Sequence, residues 1–189
     1  MTPVNDAPVI TQGNGPISYS LNEDSNLTFD LNATDLEGDV LTWSIGGNPT
    51  NGTATITAAT GTVTYVPTAD FEGNDSLTLT VSDSNLSDSV VVSLTVNGVN
   101  DAPSSISNLS ALSFSENLVL GSSIGTFSAT DPDMGDLITF SLFDNDQSTD
   151  SHLFSIDSNG TLRTAVLFDF ESNASTYPVS YTHLRAHET

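Results

Sequence analysis

Acidic residues separated by a single residue are the part of this sequence whose types and spacing could do chemistry. In an extended chain, residues i and i+2 project to the same side, so each pair could offer two carboxylates to one ion. Carboxylate, amide and carbonyl oxygens are the ligands of calcium, which takes six to eight of them at about 2.3–2.6 Å. The acidic positions recur in two halves of the chain: Glu23, Asp35 with Glu37, Asp70 with Glu72, and Asp83, then Glu116, Asp131 with Asp133, and Asp169 with Glu171.

Two interpretations of these pairs compete. An isolated Asp-x-Asp in a loop usually belongs to a turn, in which the carboxylate accepts backbone hydrogen bonds. Here the pairs recur, and the chain has 24 acidic residues against two basic ones, for a formal charge of −22. This shortage of basic partners favours divalent cations as the neutralising groups. It also excludes nucleic acid and anionic membrane surfaces as partners, because binding to phosphate needs a basic face.

A repeated pentapeptide divides the chain. Val-Asn-Asp-Ala-Pro occurs at 4–8 and again at 99–103, a spacing of 95 residues from Val4 to Val99. This period is that of a small β-sandwich of about 100 residues rather than of a solenoid unit. The pentapeptide is therefore predicted to be a linker between tandem domains, with Pro103 stiffening the entry to the second domain.

Strand periodicity fills both halves. Apolar residues alternate with Thr, Ser, Asp and Asn, as in Leu77, Leu79 and Val81, which predicts sheets with one buried and one solvated face. Seven short strands in the first half predict an all-β, Greek-key, immunoglobulin-like sandwich. The predicted strands are 9–20 (interrupted at Gly13 to Pro16), 26–32, 40–46, 53–58, 62–67, 76–82 and 89–97, then 106–115, 123–130, 137–143, 152–157, 161–166 and 176–181.

The second half shows no seventh strand, so we expect an incomplete second domain. Residues 182–189 do not alternate and hold two of the three histidines, and we interpret them as a non-native tail. MTPVNDAP has no signal-peptide pattern, which makes the chain an expected internal piece of a longer exported protein. The predicted organisation is residues 1–8 (end of a preceding linker), 9–98 (first domain), 99–103 (calcium-binding linker), 104–181 (second domain) and 182–189 (tail).

Several motifs resemble the cadherin repeat. Ala129-Thr130-Asp131-Pro132-Asp133 and the following Ile138–Leu142 resemble its A-T-D-x-D…I-x-Y-S-L segment, and Phe154–Asp157 with Gly160–Thr164 resembles F-x-I-D…G-x-I-x-T. Phe168–Ser172 resembles the L-D-x-E motif, and Ser115–Asn117 resembles the opening E-N. The first half is a more divergent relative, similar to the cadherin-like repeats of bacterial surface proteins through Tyr65–Pro67, Asp70–Gly73 and Leu79–Asp83.

The resemblance implies a set of ligands for calcium ions at domain junctions. Val99–Pro103 is similar to the cadherin linker D-x-N-D-N-x-P shortened by one residue, with Ala102 near the place of its second amide. The central junction would use Glu23, Asp70, Glu72, Asn100, Asp101, Asp131 and Asp133. Half-sites of outer junctions would use Asn5, Asp6, Asp35, Glu37 and Asp83 before the first domain and Glu116, Asp169 and Glu171 after the second.

The function that this resemblance implies is a calcium-dependent, extracellular or cell-surface adhesion and structural repeat. Its partners would be neighbouring repeats of the same chain, with homophilic or host-surface contacts as further candidates. The alternative is a non-catalytic spacer in a large secreted enzyme. We expect no enzymatic activity, since the sequence has no Ser-His-Asp motif, phosphate-binding glycine loop or EF-hand loop. No apolar run reaches the ~20 residues of a membrane span.

Overall fold

Two compact units make up the protein. The structure, a computed structural model, describes residues 4–13, 15–107, 113–142, 150–169 and 183–187. Unit 1 comprises Met1–Val99 and unit 2 comprises Asn100–Thr189. The regular secondary structure described in both units is β-strand apart from one 3₁₀ turn, which confirms the predicted all-β class. Among the described residues, no helix has the length and apolar character needed to cross a membrane.

Unit 1 is a sandwich of two main antiparallel sheets with one parallel pair. The strands follow the alternation of the sequence, and every predicted strand of this half overlaps an observed one. They are β1 (Val9–Ile10), β2 (Ile17–Asn22), β3 (Leu27–Asp30), β4 (Ala33–Thr34), β5 (Thr42–Gly47), β6 (Gly52–Ile56), β7 (Thr62–Pro67), β8 (Gly73–Ser82) and β9 (Ser87–Asn97).

The order of the strands shows how the chain crosses between sheets. One sheet has the order β2-β9-β8-β5 and the other β3-β7-β6, while β1 pairs with β4. Strand β2 runs parallel to β9, and the remaining pairs are antiparallel. Successive strands alternate between sheets at β2, β3 and β5, which is the crossing pattern of a Greek-key sandwich.

The core of unit 1 lies between its two sheets. Strands β8 and β9 each bury every second residue, because successive side chains of a strand project to opposite faces. Trp43 from β5 and Tyr65 from β7 join this core from opposite sheets. Its most buried residues also include Val63, Leu79, Val81 and Val92, each at 0% exposure.

A buried carboxylate fixes the loop between β5 and β6. Asp75 accepts hydrogen bonds from the backbone N–H groups of Thr50 (2.9 Å), Asn51 (2.9 Å) and Ser76 (2.8 Å) and from the Tyr65 hydroxyl (2.9 Å). Burial alone would raise the pKa of Asp75, but these four donors outweigh it and lower the pKa. Burial and the bond to Asp75 raise the pKa of Tyr65. Asp75 is therefore a structural acid that is fully engaged within its own unit.

Unit 2 has shorter strands around an aromatic cluster. Phe114, Phe154 and Phe168 pack together, with ring centroids 5.0 Å apart for Phe114–Phe168 and 5.4 Å apart for Phe154–Phe168. The elements are β10 (Ser104–Ser107), β11 (Ser123–Thr126), β12 (Ser128–Thr130), β13 (Leu137–Ser141), a 3₁₀ turn (Asp150–Leu153), β14 (Phe154–Ile156), β15 (Thr161–Thr164) and β16 (His183–His187).

Unit 2 departs from the sequence prediction at its first strand and in the segment interpreted as a tail. The strand predicted at 106–115 is observed only as Ser104–Ser107, and its residues 108–112 lie outside the described part. The strand predicted at 176–181 also lies outside the described residues. Within the segment interpreted as a tail, His183–His187 forms a strand that pairs antiparallel with β13, from Leu137 opposite His187 to Ser141 opposite His183.

Candidate metal centre

Three carboxylates converge in a loop of unit 2 that we call the second acidic loop, residues 131–136. Carboxylate oxygens of Asp131, Asp133 and Asp136 lie within 4.8 Å of one another. The loop turns because Asp131 Oδ1 accepts a hydrogen bond from the Asp133 N–H at 3.0 Å. The other oxygen, Asp131 Oδ2, is buried and has no hydrogen-bond partner. One aspartate thus shapes the turn with one oxygen and leaves the other for a ligand.

The linker of unit 2 docks onto this loop. The Asp101 N–H donates to Asp133 Oδ2 at 2.7 Å, and carboxylate oxygens of Asp101 and Asp133 lie within 4.8 Å of each other. Asn100 donates its side-chain amide to the Asp101 carbonyl at 3.1 Å. These contacts place the second Val-Asn-Asp-Ala-Pro motif beside the acidic loop of its own unit, as the candidate site requires.

Unit 1 repeats the arrangement at its first acidic loop, residues 35–39. Asp35 Oδ1 accepts hydrogen bonds from the Glu37 and Asp39 N–H groups, both at 3.0 Å, while Asp35 Oδ2 is buried without a partner. The Asp6 N–H donates to Glu37 Oε2 at 3.1 Å, and Asn5 donates to the Asp6 carbonyl at 3.2 Å. The two copies of the pentapeptide therefore make the same contacts in their respective units.

Asp83 adds a contact to the linker of unit 1. Its Oδ2 accepts a hydrogen bond from the Asn5 amide at 2.8 Å, and its Oδ1 accepts the N–H groups of Asn85 and Leu86, both at 2.7 Å. The Leu86 N–H, then the Asn5 amide and the Asn85 N–H, lower the pKa of Asp83. The carboxylate stays ionised well into the acid range and anchors Asn5.

The opposite end of unit 1 gathers a second set of acids. Glu23 is only 4% exposed, and its Oε1 accepts the Val99 N–H at 2.7 Å. A Cβ on Gly98 would lie 3.0 Å from Glu72 Oε2 and 3.6 Å from Glu23 Oε1, so both carboxylates border the space that a side chain at 98 would fill. Glycine at this position leaves that space open to a ligand.

Asp24 and Asp70 form a further pair in unit 1. Their carboxylate oxygens lie within 4.8 Å of each other, and both residues have a left-handed backbone with φ of 56°. Such a backbone is uncommon outside glycine, although aspartate tolerates it better than most residues. These turns bring the two side chains close to each other.

The predicted ligands of the linkers and of the acidic loops come together within each unit. Asn5, Asp6, Asp35, Glu37 and Asp83 contact one another in unit 1 as described, and Asn100, Asp101, Asp131 and Asp133 do so in unit 2. Glu116 and Asp169 are exposed, and Glu171 lies outside the described residues. The premise that the pairs lie in extended chain is wrong for both acidic loops, because a bend follows Asp35 and Asp131.

Two candidate ligands escaped the sequence prediction. Asp24 follows Glu23 directly, and Asp136 stands outside the i, i+2 spacing that selected the other residues. The sequence contains a signal for Asp136, because each acidic loop ends in a Gly-Asp dipeptide, Gly38-Asp39 and Gly135-Asp136. Both glycines have a positive φ, +76° at Gly38 and +105° at Gly135. Aligned Gly-Asp dipeptides in both units would have pointed to this position.

The chemistry of these groups fits calcium. They are hard oxygen donors, and each acidic loop contains a buried aspartate oxygen that no protein group satisfies. A buried acceptor left without a partner costs about 1–3 kcal/mol, and more when it is charged. A bound cation would remove this cost. Asp131, Asp133, Asp136 and Asp101 are the residues that would hold it in unit 2.

A family model and a curated protein are similar to this chain. Residues 5–98 match the family model described as "Bacterial cadherin-like domain". The mouse protein "Cadherin-related family member 1" is 32% identical over 179 residues, which is 88% of this chain and 20% of that protein. The chain thus spans about a fifth of the length of this curated relative.

Solved structures show the same fold. The crystal structure of human protocadherin-24 EC1-2 matches with a TM-score of 0.61 and 22% identity, over 96% of this chain and 95% of that chain. Drosophila N-cadherin EC1-4 matches with a TM-score of 0.58 and 24% identity, over 89% of this chain and 43% of that one. Cadherin-like domains are adhesive or structural repeats of extracellular proteins, which points to a non-enzymatic role. The resemblance predicted from the motifs is confirmed: residues 5–98 are a cadherin-like domain.

Proposed function

We propose that this chain is a calcium-dependent adhesion and structural segment of a cell-surface protein, in which ions at domain junctions stiffen a string of β-sandwiches. One observation carries the proposal. In both units the Asn-Asp of the linker docks onto the acidic loop, and the first aspartate of the loop keeps one buried oxygen without a hydrogen-bond partner. Two copies of the same unsatisfied arrangement favour a common ligand over chance.

The linker sequence supports a ligand set that both units share. The Val99 N–H binds Glu23 of unit 1, and two residues later the Asp101 N–H binds Asp133 of unit 2. The linker therefore contacts an acidic residue of each unit within that unit. The proposed ligands of this junction are those that the sequence predicts: Glu23, Asp70, Glu72, Asn100, Asp101, Asp131 and Asp133. Asp24, which lies beside Asp70 in unit 1, and Asp136, which lies beside Asp131 and Asp133 in unit 2, are added to them.

Electrostatics supplies the mechanism. Without an ion, like charges at this density repel, which opposes a fixed arrangement of the domains. A divalent cation reverses the sign of that interaction. Because it binds the ordered state and not the unfolded one, it stabilises by about 2.7 kcal/mol at a concentration 100 times its dissociation constant. Metal binding and rigidity are then thermodynamically linked.

The outer half-sites would serve neighbouring repeats. Asn5, Asp6, Asp35, Glu37 and Asp83 belong to one such junction, and Glu116, Asp169 and Glu171 belong to another. Ligands from a neighbouring repeat would complete each set, so we expect each set to bind calcium weakly by itself. Extracellular modules commonly bind calcium in the range of about 10⁻⁴–10⁻³ M, so weak binding is compatible with a cell-surface location.

Thermal unfolding in calcium and in chelator tests the proposal. Calcium should raise the melting temperature of the full chain, and the double substitution Asp131→Asn with Asp133→Asn should remove most of that increase. Asp30→Asn is the matched control, because Asp30 is an exposed acid on β3 outside both acidic loops. A melting temperature that is the same in calcium and chelator, or a control that loses as much as the double variant, would refute the metal hypothesis.

A further inference from the structure

Asn-Gly dipeptides are sites of an intramolecular reaction that needs no enzyme. The backbone nitrogen after an asparagine can attack the side-chain amide carbon, and glycine permits the attack because it has no side chain to hinder the approach. The sequence has four such dipeptides, which begin at Asn14, Asn51, Asn97 and Asn159. Asn14 lies outside the described residues. The other three are held by different contacts, which rank them.

Asn159 lies in the exposed turn between β14 and β15. Its Oδ1 accepts a hydrogen bond from the Thr161 N–H at 3.1 Å, which folds the side-chain amide back over the Gly160 peptide. Negative charge develops on this oxygen when the Gly160 nitrogen attacks, and a backbone N–H already aimed at it stabilises that charge. The Gly160 N–H donates to the Asp157 carbonyl at 2.9 Å, so this bond must open first. Opening an exposed turn costs little free energy.

The fold requires glycine at position 160. Gly160 has φ of +85°, and a Cβ there would collide with the Phe127 carbonyl oxygen. The Gly160 carbonyl also accepts the Phe127 N–H at 2.9 Å, which ties the turn to the segment between β11 and β12. The reactive dipeptide therefore arises from the geometry of this turn together with asparagine at 159.

The other two described dipeptides are held against the reaction. Asn97 donates its side-chain amide, which is the leaving group, to Ser20 Oγ at 2.9 Å and to the Leu21 carbonyl at 3.1 Å. Asn51 is fixed through its backbone N–H, which donates to the buried Asp75 at 2.9 Å. Both sets of contacts belong to the packed sheets of unit 1, where local opening costs more free energy than in an exposed turn.

We propose that Asn159 is a site of spontaneous deamidation, which adds a negative charge to unit 2 and loosens its turn as the protein ages. The Gly160 nitrogen forms a bond to Asn159 Cγ, the Cγ–Nδ2 bond breaks, and the amide leaves as ammonia with the proton that the Gly160 nitrogen gives up. Water then opens the five-membered succinimide at either carbonyl and leaves aspartate or isoaspartate at position 159. Isoaspartate adds a carbon to the main chain and strains the bonds that join Gly160 to Asp157 and Phe127.

Peptide mapping by mass spectrometry tests this reaction on the full chain, aged at mildly alkaline pH because the Gly160 nitrogen must lose its proton. Working in chelator separates the reaction from the calcium proposal, on which it does not depend. We expect Asn159 to convert at least about tenfold faster than Asn51 and Asn97, because the free energies of local opening differ. The product should include isoaspartate, which direct hydrolysis of the amide does not give.

The unfolded chain is the control for local sequence. In denaturant the three asparagines should convert at similar rates, since only the folded structure ranks them. An equal lead for Asn159 in denaturant would overturn the structural assignment. Conversion of Asn159 in the folded chain no faster than that of Asn51 or Asn97, or a product without isoaspartate, would overturn the proposal itself.

A glutamine substitution links the reaction to stability. Glutamine would have to close a six-membered ring, which forms far more slowly, so Asn159→Gln should keep its melting temperature on ageing while the wild type loses some of its own. Asn97→Gln is the matched control and should lose as much on ageing as the wild type. Equal losses for Asn159→Gln and Asn97→Gln would overturn the assignment of the effect to Asn159.

Discussion

The two acidic loops are versions of one device that differ by a single residue. Both begin with an aspartate that holds the turn through Oδ1, and both receive the backbone N–H of a linker aspartate. The second loop has the additional residue Met134, which is completely exposed. With the longer loop, the carboxylate of Asp136 joins Asp131 and Asp133 within 4.8 Å.

The first loop uses the corresponding position differently. The Asp39 N–H donates to Asp35 Oδ1, so the shorter loop closes a tight turn around that oxygen. Among the residues that the structure describes, Asp35, Glu37 and Asp39 do not form a group of three carboxylates like that of unit 2. Each loop has three acids, but one inserted residue separates the loop whose carboxylates do not form such a group from the loop whose three carboxylates lie together, and calcium affinity should follow this difference.

Removing the leading aspartate should have the largest effect. We expect Asp131→Asn to weaken calcium binding tenfold or more, on the order of 1.4 kcal/mol, and Asp35→Asn to weaken it less, because the three carboxylates of the second loop lie within 4.8 Å of one another. Isothermal titration calorimetry measures both variants beside the Asp30→Asn control. Equal losses for Asp131→Asn and Asp35→Asn would mean that the two loops do not differ as their geometry indicates.

Shortening the second acidic loop by one residue should give it the carboxylate arrangement of the first acidic loop. Deletion of Met134 should withdraw Asp136 from the cluster and weaken calcium binding by roughly threefold to fivefold, since one of several oxygen ligands is lost. Asp136→Asn removes the same carboxylate without changing the length of the loop, and its effect should be similar. If Asp136→Asn leaves the affinity of the full chain unchanged, the third carboxylate is not a ligand.

The space beside Gly98, bordered by Glu72 and Glu23, predicts a smaller effect on calcium affinity. In Gly98→Ala, the new Cβ would meet Glu72 Oε2 at 3.0 Å, and the exposed Glu72 side chain can move aside at little cost. We expect calcium affinity to fall about twofold, as one ligand is displaced rather than removed. Gly15→Ala is the control, because nothing lies within 4 Å of a Cβ at that position. A full loss of binding would mean that Glu72 is held more rigidly than its exposure indicates.

The Asn5–Asp83 contact should give the smallest effect, and one that depends on pH. The pKa of Asp83 is lowered from its ordinary value of 3.8, so its contribution to stability is present above that value and is lost as pH falls through the folded-state pKa. Asp83→Asn should therefore lower the melting temperature at neutral pH and converge with the wild type in strong acid. A difference that does not change with pH would contradict an ionised anchor.

The sequence predicts most of unit 1 because its strands are regular. Leu77, Leu79 and Val81 alternate with polar residues without interruption, and this alternation alone predicts the strand. Strand β8 nevertheless begins at Gly73, ahead of the predicted 76–82, because Asp75 faces the interior and is held by four hydrogen bonds. A buried acid in a strand resembles a loop residue until its partners are known, and those partners are distant in sequence.

The acidic loops show the same limit on the prediction of sites. The Asp-x-Asp spacing selects Asp131 and Asp133, but the turn that brings them together comes from a backbone hydrogen bond rather than from extended geometry. In the sequence, the metal-ligand and turn interpretations of such a pair are alternatives. In the structure one aspartate serves the turn with Oδ1 and leaves Oδ2 unsatisfied, and only atomic positions separate the two roles.

A crystal structure of the full chain grown with calcium tests most directly whether the buried oxygen of Asp131 is a metal ligand. We predict an ion at about 2.3–2.6 Å from Asp131 Oδ2, with Asp133 and Asp136 among its other ligands. A calcium-saturated crystal in which Asp131 Oδ2 has a water or protein partner and no ion within that distance would contradict the proposed site.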